Sequence, residues 1–141
     1  FTIITCAGIT CCLLIAIFLF SKRDDYRTIA KLSIAPAFFN INETMTFGLP
    51  IVLNPILAIP FMFAPVISAT FAYWMTVIGF AQVISFQVPW TTPVGIMGFL
   101  ATGGHIGTAI TQIICVALSV VIYTPFVLSS KKQAQMEENQ A

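Results

Sequence analysis

Charge is what this sequence has least of. Only 8% of its 141 residues are Asp, Glu, Lys or Arg, against 58% hydrophobic residues, whereas a soluble domain is about one-quarter charged. From Leu32 to Ser130, Glu43 is the one formally charged side chain when His105 is neutral. A chain of this length folded in water needs a polar coat that these residues cannot supply; a bilayer asks for none. A soluble globular domain is thereby excluded, and an all-α integral membrane protein is expected. The net charge of +1 gives no indication of a nucleic-acid partner, and none is expected.

Other absences narrow the chemistry. Cys6, Cys11, Cys12 and Cys115 lie in apolar runs without a CxxC pair. Zinc sites and redox dithiols need ligands that reach one centre, and free cysteine also serves as a small buried apolar residue. No metal and no cofactor are implied. No phosphate-binding loop is present. The chain opens "FTIITCAGITCCLL" without Met or a basic leader, unlike a signal peptide, and is expected to be the carboxy-terminal piece of a longer protein.

What is there reads as spans separated by polar interruptions. Residues 1–20 are uncharged and match the roughly 20 residues of a spanning helix. They stop at "SKRDDYRTIAK", where Lys22, Arg23, Arg27 and Lys31 mark a cytoplasmic flank. Lys131 and Lys132 mark the far end likewise, so the stretch between crosses an even number of times. One crossing is residues 105–128. The other lies within 55–80, where Pro55, Pro60 and Pro65 predict a kinked or broken helix that is continuous only over 65–80. Residues 129–141 form a polar cytoplasmic tail.

"SIAPAFFNINETMTFGLP" and "QVPWTTPVGIMGFLATGG" are too apolar for exposed loops, and their Asn, Pro, Thr and Gly make poor uninterrupted helices. Irregular backbone survives at membrane depth only inside protein or beside a wet cavity. Both read as re-entrant helical hairpins, near 34–50 and 86–102. Glu43 sits on the first, with Asn40 and Asn42 beside it. An ionised group at the bilayer centre costs about 2.5–3.5 kcal/mol on insertion scales and is functional by default. The bland alternatives are a partner elsewhere neutralising it, or a shallow position in contact with water. Amides beside a carboxylate suit a hydroxyl-rich ligand. On the second hairpin Trp90 stands between Pro89 and Pro93, followed by Thr91 and Thr92; a ring beside hydroxyls suits a sugar, although tryptophan also serves as an interfacial anchor. His105 reads as a polar cap, and Gly103 and Gly104 as a tight turn before the last span.

The motifs "FNINE", "FGLPIVLNPILAIPF" and "VPWTTPVGIMGFLATGG", in this order, resemble the permease subunit (enzyme IIC) of bacterial sugar phosphotransferase systems, of the lactose/cellobiose/diacetylchitobiose family. The resemblance implies a homodimeric permease of the bacterial inner membrane, dimerised through an amino-terminal half absent from this sequence. It would bind a disaccharide and work with a soluble IIB subunit whose phosphocysteine donates to the sugar 6-hydroxyl. It points to Glu43 as the catalytic carboxylate near that hydroxyl, and to Trp90 as the stacking ring. Asn40, Asn42, Thr91 and Thr92 complete the expected substrate-binding set. The chain would supply positioning rather than the phosphoryl donor. Three features depart from the family: Thr44 stands where proline is usual, His105 where an acid is frequent, and a histidine placed near the sugar belongs to an earlier segment absent here. From the residues alone, an ion-coupled transporter using Glu43 and a non-functional permease fragment remain open.

Overall fold

A computed structural model describes residues 2–21, 24–41, 43–49 and 55–140; for 2–10, 25, 131, 133–135 and 137–140 it describes the backbone alone. Asn42, the expected partner of Glu43, lies outside the described residues, as do Pro50, Asn54, Lys22 and Arg23. Among the described residues six helices follow in order: α1 (Thr2–Phe20), α2 (Asp24–Phe38), α3 (Glu43–Gly48), α4 (Pro55–Val77), α5 (Ile96–Ala101) and α6 (Ile106–Gln140). No strand occurs among the described residues.

Among the described residues two helices are long and apolar enough to cross a membrane: α4, and α6 over Ile106–Ser130. Both leave much of their apolar surface uncovered, including Met62, Phe63, Val66, Tyr73 and Trp74 on α4 and Ile113 and Val121 on α6. In water such surfaces would be a liability; in lipid they are the ordinary outside of a helix. α4 runs without interruption from Pro55, although a break before residue 65 was expected. Pro55 occupies the first helical position, where a missing N–H is harmless. Pro60 and Pro65 lie inside the helix, and prolines within membrane helices are tolerated where neighbouring groups satisfy the freed carbonyls.

The core lies between helices. Pro60, Ala64, Ser68 and Ala72 recur every fourth residue on α4 and are all buried. Small residues at this spacing let backbones approach closely, which is how helices associate without a hydrophobic drive. The matching face of α6 is Thr108, Thr111, Gln112, Cys115, Ser119, Tyr123 and Val127. The Ser68 and Ser119 hydroxyls hydrogen-bond at 2.8 Å, and the Cys115 thiol points at the Ser68 carbonyl at 3.6 Å. α1 packs on both α6 and α4, and its Leu13, Ala16 and Ile17 join Leu57, Ala64, Tyr123 and Val127 in one buried cluster. There the Cys12 thiol donates to Val116 O at 3.3 Å. Two of the four cysteines thus act as small buried donors between helices. Hydroxyls on helix faces are satisfied locally: Thr70, Thr76, Thr111 and Thr124 each donate to the carbonyl four residues back.

α2 begins in the polar stretch, at Asp24, ten residues before the expected first hairpin. With α3 it forms a helix–turn–helix against the end of α1. Residues 78–95 are irregular and are followed by the single short helix α5, which packs on α6.

Candidate functional site

The site is built from a helix end. At the close of α2 the Ile41 N–H donates to Pro36 O at 2.9 Å and the Asn40 N–H to Ala37 O at 3.0 Å. This nested pair requires a left-handed residue just past the helix, and Asn40 takes that place with φ 65°. α4 and α5 end on the same pattern. Phe80 N–H reaches Met75 O and Gly79 N–H reaches Thr76 O, both at 3.0 Å; Gly104 N–H reaches Phe99 O at 2.8 Å and Gly103 N–H reaches Leu100 O at 3.2 Å. In those two helices glycine fills the left-handed place, at φ 86° (Gly79) and 71° (Gly103). Asn40 is the one described non-glycine residue with positive φ.

Its side chain explains the difference. Asn40 is 2% exposed, and its Nδ2 donates to the backbone carbonyl of Trp90 at 3.0 Å, across fifty residues of sequence. Glu43 opens α3 three residues after Asn40. Three residues reach at most about 11 Å, so the carboxylate belongs to the same corner of the molecule as the Trp90 turn. Glu43 is exposed and makes no hydrogen bond or ion pair among the described residues. Trp90 is 53% exposed. Asn40 Oδ1 is buried without a partner.

The Trp90 turn has its own scaffold. Thr92 closes it twice on the Pro89 carbonyl, through N–H at 3.1 Å and Oγ1 at 2.7 Å. Thr91 is half-buried, and its hydroxyl makes no hydrogen bond among the described residues. Beyond the turn, Gln112 of α6 accepts the N–H groups of Gly95 and Gly98 on one Oε1, each at 2.9 Å. Its Nε2 is buried and unpartnered. A Cβ on Gly98 would collide with that Oε1, so only glycine lets the backbone come this close. Earlier in the loop, Ser85 and Phe86 N–H groups reach Ala101 O, and Gln82 N–H reaches Thr108 Oγ1 at 3.0 Å. His105 is exposed at the start of α6 and has no hydrogen bond to any of these residues.

Of the expected residues, the fold therefore brings Asn40, Glu43, Trp90, Thr91 and Thr92 to one corner. Gln112 was missed, although a carboxamide in the middle of a membrane helix is itself a signal. The left-handed role of Asn40 was missed too; an asparagine directly after an apolar helical run is a known stop.

Comparison with known proteins shows what the chain resembles. A family described as "Phosphotransferase system, EIIC" matches residues 2–65. The chain is 44% identical over 131 residues to the cellobiose-specific EIIC component of Lactococcus lactis, covering 93% of this chain and 26% of that protein. It is 40% identical to the lichenan permease IIC component of Bacillus subtilis, covering 94% of this chain and 30% of that protein. Its structure superposes with a TM-score of 0.84 and 41% identity on the crystal structure of the transporter ChbC, the IIC component of the N,N'-diacetylchitobiose-specific phosphotransferase system. That match covers 91% of this chain and 30% of that chain.

Over more than nine-tenths of its length this chain is thus similar to EIIC components of the phosphotransferase system. It spans less than one-third of the length of these relatives. That similarity accords with the all-helical build, the two membrane-length helices and the scarcity of charge among the described residues.

Proposed function

We propose that this chain builds part of the sugar site of a phosphotransferase-system permease. It binds a disaccharide of the cellobiose, lactose or diacetylchitobiose type and carries it across the cytoplasmic membrane while a IIB partner phosphorylates it. The supporting observation is the Asn40–Trp90 hydrogen bond. It ties two polar turns together, and the one carboxylate of the apolar region stands three residues along the chain from that tie. The relatives' names supply the sugar class: cellobiose-specific, lichenan and lactose-specific components are all among them. Lactose-specific relatives named EIICB support a IIB partner.

In this reading Glu43 accepts a hydrogen bond from the sugar 6-hydroxyl and takes its proton as the oxygen attacks the phosphorus held on the IIB cysteine. The sulfur–phosphorus bond breaks as the oxygen–phosphorus bond forms. A positioned base of this kind contributes about 10²–10⁴-fold, and positioning supplies the rest. Trp90 stacks on the C–H face of a sugar ring. Thr91 and Thr92 offer hydroxyls at its rim and Asn42 an amide, while Asn40, buried, holds the Trp90 backbone rather than touching the sugar. The α2–α3 hairpin and residues 86–102 act as re-entrant segments, with the basic flanks and residues 129–141 on the cytoplasmic side. The working unit is a homodimer formed through parts outside this segment.

The test supplies vesicles carrying the protein with radiolabelled cellobiose, with and without phosphorylated IIB. Phosphorylated disaccharide forming only with IIB is expected. Accumulation of unmodified sugar that follows a proton gradient without IIB would instead make Glu43 an ion-coupling site.

A further inference from the structure

We propose that Asn40 and Gln112 are positioning residues: two buried carboxamides fasten residues 90–98 at both ends, one to the Glu43 turn and one to the α6 span. The segment between them has little regular hydrogen bonding of its own, since α5 begins only at Ile96. Asn40 Nδ2 holds its first residue by the Trp90 carbonyl. Gln112 Oε1 holds its far end by the Gly95 and Gly98 N–H groups. The bonding fixes which way each amide faces, because Nδ2 meets a carbonyl and Oε1 meets two N–H donors.

The choice of asparagine carries the inference. For the backbone alone glycine serves, as it does at the ends of α4 and α5. Asparagine tolerates the left-handed region less well than glycine, so the strain at φ 65° is held by what the side chain does. At 2% exposure it reaches Trp90 O from beneath the turn. Gln112 is 4% exposed. Each buries an unpartnered half, Asn40 Oδ1 and Gln112 Nε2, a desolvation cost that the bonds made by the other half must offset. The consequence is a fixed relation between the Trp90 ring and the Glu43 carboxylate. The fastening stands apart from the sugar reading; only its effect on binding rests on that reading.

Asn40→Gly separates the two roles, because it keeps the left-handed backbone and deletes the bond to Trp90. This segment has two tryptophans, so with Trp74→Phe, and with any tryptophan outside the segment also replaced by Phe, Trp90 is the only one in the protein reconstituted in lipid nanodiscs. Time-resolved anisotropy of Trp90 is expected to gain a fast nanosecond component in Asn40→Gly and in Gln112→Met, with helical content unchanged by circular dichroism. Asn40→Asp, whose ionised side chain is an acceptor only, is expected to be at least as mobile as Asn40→Gly. Anisotropy in Asn40→Gly identical to that of the parent would overturn the fastening, whatever the sugar does. On binding, Asn40→Gly is expected to weaken cellobiose by about two- to tenfold, the range of one net hydrogen bond. Trp90→Leu is then expected to cost less in the Asn40→Gly background than alone. Strict additivity of the two would reduce Asn40 to a structural residue. Absent cellobiose binding by the parent, with the anisotropy result intact, would sink the sugar reading and leave the fastening standing.

Discussion

Glu43 and Trp90 stand out by residue type, because a carboxylate in an apolar stretch and a tryptophan between prolines are unusual in themselves. The tie between their two turns does not. It is one amide bond from Asn40 to Trp90 across fifty residues, and no local pattern encodes a tertiary contact of that kind. The same limit explains Asn40, which reads as a ligand-facing amide in sequence and is buried beneath the Trp90 turn in the fold. Trp90 is half-open, which leaves it accessible for the stacking proposed for it. Trp90→Leu is therefore expected to weaken cellobiose binding about two- to tenfold, in line with about 0.5–1.5 kcal/mol for aromatic packing beyond area. Equilibrium binding with radiolabelled sugar checks this, and unchanged affinity would return Trp90 to the class of interfacial anchors.

Among elements, the long apolar helices were visible in sequence, and their ends were not. Prolines 60 and 65 argue for a break by local rules, yet α4 passes through both. The stretch before residue 34 reads as a charged flank, yet α2 starts at Asp24. Helix ends here are set by the nested carbonyl bonds at Asn40, Gly79 and Gly103, two of which fall on glycines a sequence reader would mark. The close fit of α5 and the 78–95 loop onto α6 makes its own prediction. A Cβ on Gly98 would strike Gln112 Oε1, and one on Gly107 would strike the Phe80 carbonyl oxygen. Gly98→Ala and Gly107→Ala are each expected to destabilise by about 1–3 kcal/mol, as overpacking does. Gly107→Ala should be the worse, because a backbone oxygen yields less readily than a side chain. Thermal unfolding in detergent reads both; an unchanged midpoint for Gly107→Ala would show that the loop does not sit there.

For the whole molecule, α6 is the common support, carrying α1 and α4 along its length and α5 near its start. Polar contacts inside this bundle are few and modest. The Ser68–Ser119 bond is the buried hydroxyl pair between α4 and α6. A double-mutant cycle of Ser68→Ala and Ser119→Ala is expected to give a coupling of about 0.6 kcal/mol, the average for hydrogen bonds between membrane helices. A coupling near zero would assign the interface to small-residue packing alone. This support matters for function because it gives the corner holding Asn40, Glu43 and Trp90 a fixed base on membrane-spanning helices.

The central claim is that the Glu43 carboxylate acts on the sugar hydroxyl as the phosphoryl group arrives. It is tested most directly by the rate of cellobiose phosphorylation with phosphorylated IIB, comparing the parent protein with Glu43→Gln at equal membrane insertion. The expected result is a fall of about a hundredfold or more; phosphorylation by Glu43→Gln at the parent rate would contradict it.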